Sequence, residues 1–138
     1  MSTIGKRRKG RELAMQMLFQ ADMGRQTPEE VRKSFWQARD EVEPDTRGFA
    51  EDLFRVATAR AEEIDAVIEK HSANWKLTRM SAVDRNVLRM AVAEMTGFRD
   101  TPPPIVINEA LEIAKRYSSP ESINFLNGVL DAIARDSR

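Results

Sequence analysis

Five cations stand within the first eleven residues, Lys6, Arg7, Arg8, Lys9 and Arg11, with no acid among them. The chemistry open to such a cluster is neutralisation of phosphate. An aromatic side chain beside it would extend the reach to bases, because a ring stacks on an exposed base while guanidinium groups meet the flanking phosphates. Phe19 is that aromatic. At about 100° per residue on a helix, with Ala14 at zero, Arg11 falls near 60°, Met15 near 100°, Arg8 near 120° and Phe19 near 140°. Arg7 lies near 20° by the same count, one turn further out. These side chains make one stripe beside an apolar face of Leu13, Ala14, Met17, Leu18 and Ala21. A frayed, solvated terminus would carry the same cations, and Phe19 could equally fold back onto the edge of a bundle. A second such edge lies near the C-terminus. Taking Leu126 as the centre of the apolar face, Phe125 sits about 100° away, with Asn124 and Asn127 on the polar side. An amide and a ring at a helix start can hydrogen-bond and stack on a base. The alternative for Phe125 is a rim contact of the bundle.

Nothing in the chain forms a catalytic constellation. There is no Gly-rich phosphate loop and no nucleophile beside a base. Glu109 and Glu112 share a helix edge three residues apart, which suits acid–base work or, more simply, a solvated helix surface. Asp84 and Arg85 are expected to form buried ion pairs in a central helix. The one histidine, His71, is expected at the surface near a helix end and not as a metal ligand. The absence of cysteine excludes disulfides and thiolate metal sites. No enzyme activity, cofactor or metal is therefore expected. No apolar run is long enough to span a bilayer, and no apolar signal core precedes the arm, which points to the cytoplasm and away from a membrane.

The 138 residues balance 22 basic against 22 acidic groups, so the chain beyond residue 11 carries 17 basic against 22 acidic. A basic arm joined to an acidic body suggests that the arm meets a polyanion and the body does not. With 41% hydrophobic residues, one domain spanning 1–138 can bury a core.

Every periodic segment reads as helix. The first runs from about residue 5 to 23, stopped by Gly24. Thr27-Pro28-Glu29-Glu30 combines an N-cap, a first-turn proline and a capping-box glutamate. The helix it starts buries Val31, Phe35 and Ala38. Asp45 is expected to cap the next segment. That segment, from 46 to about 72, has a weak zone around 58–62 where two helices could meet. Asn74-Trp75-Lys76-Leu77 leads to Ser81 and a helix over 82–96, apolar most of the way round and so central. Thr101-Pro102-Pro103-Pro104 stiffens the entry to a helix whose buried face is Val106, Ala110, Ile113, Ala114 and Tyr117. Ser119-Pro120-Glu121-Ser122 starts the last helix, in which Gly128 is expected to mark a close backbone approach. The fold class is all-α, a compact bundle of six or seven helices.

Four segments in order, RRKGRELAMQMLFQ, VDRNVLRMAVAEM, VINEALEIAKRY and FLNGVLD, resemble the NusB family of transcription antitermination factors. The resemblance covers nearly the whole chain and is weakest over 25–48. It implies an all-helical, non-enzymatic protein that binds the single-stranded boxA element of nascent ribosomal RNA together with the ribosomal protein NusE. It also implies entry into an RNA polymerase antitermination complex. The implied RNA surface is the arm (Lys6, Arg7, Arg8, Lys9, Arg11), Phe19, Glu121, Asn124 and Phe125. The implied partner surface lies on the central helix around Asp84, Leu88 and Ala91. Monomers and homodimers both fit the resemblance. The arm departs from the family pattern in being short and interrupted by Gly10. A NusB-like domain fused to a ribosomal RNA methyltransferase competes with this reading, but the chain offers no glycine-rich cofactor loop and no room for that domain. A helical adaptor that binds only protein is the other competitor.

Overall fold

The computed structural model describes residues 3–73 and 75–137; Met1 and Ser2 of the basic arm, Asn74 and Arg138 lie outside them. Among the described residues there are seven α-helices and no strand: α1 (Thr3–Gly24), α2 (Pro28–Gln37), α3 (Pro44–Ala59), α4 (Ala61–His71), α5 (Ala82–Gly97), α6 (Pro103–Ala114) and α7 (Pro120–Ser137). A short 3₁₀ turn, Leu77–Arg79, precedes α5.

Local signals account for most of the boundaries. Glu30 N donates to Thr27 Oγ1 at 3.2 Å and Thr27 N donates to Glu30 Oε1 at 2.8 Å, so both halves of the capping box form at the start of α2. Val31 and Phe35 are buried as expected, but the third buried residue is Trp36, and Ala38 is the exposed C-cap. Glu43, not Asp45, is the N-cap of α3, because Pro44 takes the first helical position and puts Asp45 in the first turn. There its charge faces the positive end of the helix dipole. The weak zone of the 46–72 segment is a real break: Arg60, with φ −116° and ψ 27°, separates α3 from α4.

α5 is the axis of the bundle. Val87, Leu88, Met90, Ala91, Val92, Ala93 and Met95 are all buried, and so are its polar residues Asp84, Asn86 and Glu94. α1 runs antiparallel to it, since Arg11 near the start of α1 pairs with Glu94 near the end of α5, and Asp22 near the end of α1 pairs with Arg85 near the start of α5. α3 packs on α5 and, at close quarters, on α1. Gly10 permits that approach, because a Cβ there would meet Phe49 Cδ2 at 2.7 Å and Thr46 O at 3.3 Å.

Two sequence readings change. Gly128 faces open space with nothing within 4 Å of a built Cβ, so it marks no close approach. α6 ends at Ala114, so Tyr117 leaves the helical register and stands 44% exposed.

These two glycines predict opposite outcomes. Gly10→Ala forces a methyl against the Phe49 ring and should lower stability by about 1–3 kcal/mol. Gly128→Ala fills exposed helix interior and should raise stability by about 0.5–1 kcal/mol. Urea unfolding of both variants checks the pair.

Candidate nucleic-acid interface

The basic arm is helical, and most of its charge is already engaged. Arg11 is 5% exposed. Its Nε donates to Glu94 Oε1 at 2.7 Å and its Nη2 to Glu94 Oε2 at 2.8 Å, while Nη1 reaches Glu109 Oε1 at 3.3 Å. Arg8 forks onto the same Glu109, Nε to Oε1 at 3.0 Å and Nη2 to Oε2 at 2.7 Å. Lys6 Nζ lies 3.1 Å from Glu43. The Arg7 guanidinium stacks 4.3 Å from the Phe49 ring centroid. Lys9 is exposed and, among the described residues, has no ion-pair partner.

Arg11 is therefore removed from the RNA-facing set. A carboxylate at Glu94 that is fully buried requires a cation beside it, and Arg11 is that cation. Glu109, expected at the helix surface, is buried too. The hydrogen bond from Arg8 holds its carboxyl below the ordinary glutamate value, against the opposing effect of burial and with help from the Arg8 and Arg11 charges. The same bond raises the Arg8 guanidinium. Glu112 binds Lys115 at 2.6 Å, so the two glutamates face separate cations and form no acid–base pair.

Phe19 is 36% exposed and lies on α1 one turn beyond Gln16. The α6–α7 connector docks against this part of α1. Gln16 Nε2 donates to the Tyr117 hydroxyl at 3.1 Å, and that hydroxyl donates to the buried Glu12, which also receives Arg116 at 2.8 Å. Burial, reinforced by Glu12, raises the Tyr117 phenol. The next residue ties the connector to α5, with Ser118 Oγ donating to Asp84 Oδ1 at 2.7 Å. Ser119 Oγ then accepts from Ser122 N at 3.2 Å and starts α7. The connector thus runs from α1, at Glu12 and Gln16, to α5, at Asp84, before α7 begins. Glu121 and Asn124 are exposed there, and the Phe125 ring is half-buried against the core.

The partner residues on α5 divide. Leu88 and Ala91 are wholly buried, so neither can touch a partner; a helix surrounded by other helices points these positions into the core. Asp84 is 7% exposed and spends one oxygen on Ser118. Its expected ion pair is absent among the described residues, whereas that of Arg85 forms, with Asp22 at 2.6 Å. Burial pushes the Asp22 carboxyl up, but hydrogen bonds from Arg85 and Asn86 outweigh it and the net shift is downward. His71 closes the end of α4 and bridges the Val67 carbonyl at 2.8 Å and Asp136 at 2.6 Å. No group of three metal-ligating side chains occurs among the described residues. Nor, among them, is any helix long and apolar enough to cross a membrane.

Sequence periodicity missed Trp75, which lies in a loop. It is 52% exposed, and its ring meets that of Phe125 edge-on at 6.5 Å.

The family profile described as "NusB family" matches residues 8–135. The chain belongs to the NusB family. The transcription antitermination protein NusB of Koribacter versatilis is 61% identical over 132 residues, 96% of this chain and 90% of that protein. A crystal structure of the antitermination factors NusB and NusE in complex with dsRNA contains a chain that superposes with TM-score 0.88 at 30% identity, over 97% of this chain and 99% of that one. T. maritima NusB superposes with TM-score 0.86 at 34% identity, over 94% and 91% of the two chains. The seven-helix architecture is thus that of solved NusB structures, with α1 and the start of α7 carrying the side chains described above.

Arg11→Ala would leave Glu94 charged and unpaired in the core. It should cost about 3–5 kcal/mol of stability by chemical unfolding. RNA affinity measured on the folded fraction should stay close to that of the parent.

The depressed Glu109 sets a pH dependence. Because its folded value lies below the ordinary 4.5, its contribution to stability is full above 4.5 and is lost as pH falls through the folded value. Unfolding curves for the parent and Glu109→Gln should therefore converge below pH 4.5, with the variant less stable above it.

Proposed function

We propose that this chain is a transcription antitermination factor that binds single-stranded RNA of the boxA type together with NusE. The pair joins an antitermination complex on RNA polymerase, in the cytoplasm, and the chain itself catalyses no reaction. The observation that carries this reading is the likeness, over almost the whole chain, to the NusB partner of NusE and RNA. The surface chemistry supports it. Lys9 is free to meet phosphate, and the solvent-facing Lys6, Arg7 and Arg8 can exchange their present partners for phosphate oxygens. Phe19 and Phe125 supply rings for stacking, and Asn124 supplies an amide that can both donate and accept at a base edge. Glu121 flanks them. The partner surface is reduced to the surroundings of Asp84, with Leu88 and Ala91 shaping α5 from inside.

Phosphate contacts release counterions, so affinity should fall steeply with salt. Because several arm cations must first leave internal carboxylates, the slope should correspond to fewer contacts than the five arm cations would suggest. If RNA touches both proteins, NusE should tighten RNA binding, and RNA should tighten NusE binding by the same factor. Fluorescence anisotropy of a labelled boxA oligonucleotide, titrated at several salt concentrations with and without NusE, measures both. A duplex competitor distinguishes single-strand from double-strand preference. Salt-independent affinity, or identical affinity with and without NusE, would contradict the reading.

A further inference from the structure

An indole half open to water is an unfavourable thing to hold rigid, yet the loop around Trp75 is built to do so. Ser72, 1% exposed, donates its hydroxyl to the Trp75 carbonyl at 2.7 Å, and Trp75 N donates back to the Ser72 carbonyl at 3.0 Å. Leu77 N donates to Glu69 Oε2 at 3.0 Å, closing the far side of the loop. Ala73 is held at φ 47°, a left-handed conformation that a side chain disfavours. The same left-handed turn follows α1 at Arg25; at Ala73 it ends α4 and aims the chain into the Trp75 loop.

The indole and the Phe125 ring meet at 68° with centroids 6.5 Å apart. They stand over a cavity of about 400 Å³ lined also by Arg79, Ser81, Asp84, Ser119, Glu121 and Ser122. Lys76 and Arg79 are exposed and, unlike most of the arm cations, have no ion-pair partner among the described residues. A perpendicular ring pair leaves ring surface for a third planar group. The Glu121 carboxylate repels phosphate from the cavity but accepts hydrogen bonds from amino groups. Rings with unpaired cations beside them, Arg79 at the cavity wall and Lys76 next to Trp75 in the chain, is the arrangement that takes an unstacked base and its flanking phosphates.

We propose that Trp75 and Phe125 form a two-walled seat for one splayed base of single-stranded RNA, with Lys76 and Arg79 meeting the neighbouring phosphates. This rests on the RNA-binding reading above and adds to it a residue, Trp75, and two cations outside the arm.

The chain has two tryptophans, and Trp36 is buried at 4% exposure, so Trp36→Phe leaves Trp75 as the lone fluorescent reporter. In that background, titration with a boxA oligoribonucleotide should quench the emission. The same oligonucleotide made abasic at successive positions should lose the quench at one of them. Independently, Trp75→Ala should weaken RNA binding by roughly tenfold or more, and Trp75→Phe should restore most of it. Thermal unfolding of Trp75→Ala should stay near that of the parent. Should that variant fail to fold, the quench in the Trp36→Phe protein, and its loss at one abasic position, still decide. RNA binding by the parent with no quench and with undiminished affinity in Trp75→Ala would overturn the seat while leaving the RNA-binding reading intact. Loss of NusE affinity with RNA affinity unchanged would make Trp75 a protein contact and overturn the seat as well. No RNA binding by the parent at any salt would overturn both readings together.

Discussion

The buried pair of Arg11 and Glu94 is the constraint from which the rest of the arrangement follows. Glu94 has no solvent exposure at the core of α5, and a charge so placed is tolerable only with a cation in contact. That cation comes from α1, more than eighty residues away in the chain. The basic segment is thereby drawn into the bundle and cannot be a floating tail. Glu109 on α6 extends the pair into a chain of four charges, Arg8, Glu109, Arg11 and Glu94, that ties three helices together. Such a network is a weak source of net stability, because desolvation offsets much of the attraction. Its stronger effect is on registry, since a slip of one turn along α1 would strand Glu94.

A second polar cluster fixes the other end of the same helix. Asp22 accepts from Arg85, Asn86 and Arg89, and Arg89 continues to Asp65 on α4. With both ends of α1 pinned to α5, the rotation of α1 about its axis is determined. The face between the pins carries Glu12 and Gln16, which receive the α6–α7 connector through Tyr117. α7 itself packs on α4, α5 and α6, so Glu121, Asn124 and Phe125 are placed by those helices while α1 holds the connector that leads into α7.

This reorganises the charge available to a polyanion. Cations that look equivalent along KRRKGR divide into one that is structural (Arg11), some bonded but solvent-facing, and one free (Lys9). Meanwhile Lys76 and Arg79, isolated in the sequence, have no ion-pair partner among the described residues. Unpaired positive charge is therefore spread over the bundle instead of residing in the arm alone.

Local rules made much of this legible in advance. The 3.6-residue period marked every helix, Thr27 announced its cap, and the weak zone near residue 60 marked a break, because each depends on neighbours within one turn. The all-α class, the central place of α5 and the family resemblance followed from the same local patterns. What those patterns could not supply was the identity of partners distant in the chain. An arginine on a helix edge has the same wheel position whether it faces water or a buried glutamate, so Arg11 read as a surface cation and Glu109 as surface acid. Leu88 and Ala91 stood in the partner face that the family resemblance implies, and a resemblance does not say which sides of an all-round apolar helix the neighbouring helices cover. Tyr117 fitted a period that the backbone abandons three residues earlier. Trp75 had no period at all, and only the packing of its loop against α7 brings it to Phe125. Periodicity and capping are short-range and survive in the sequence; burial, ion pairing and the meeting of rings arise from contacts across the bundle, and only the tertiary structure decides them.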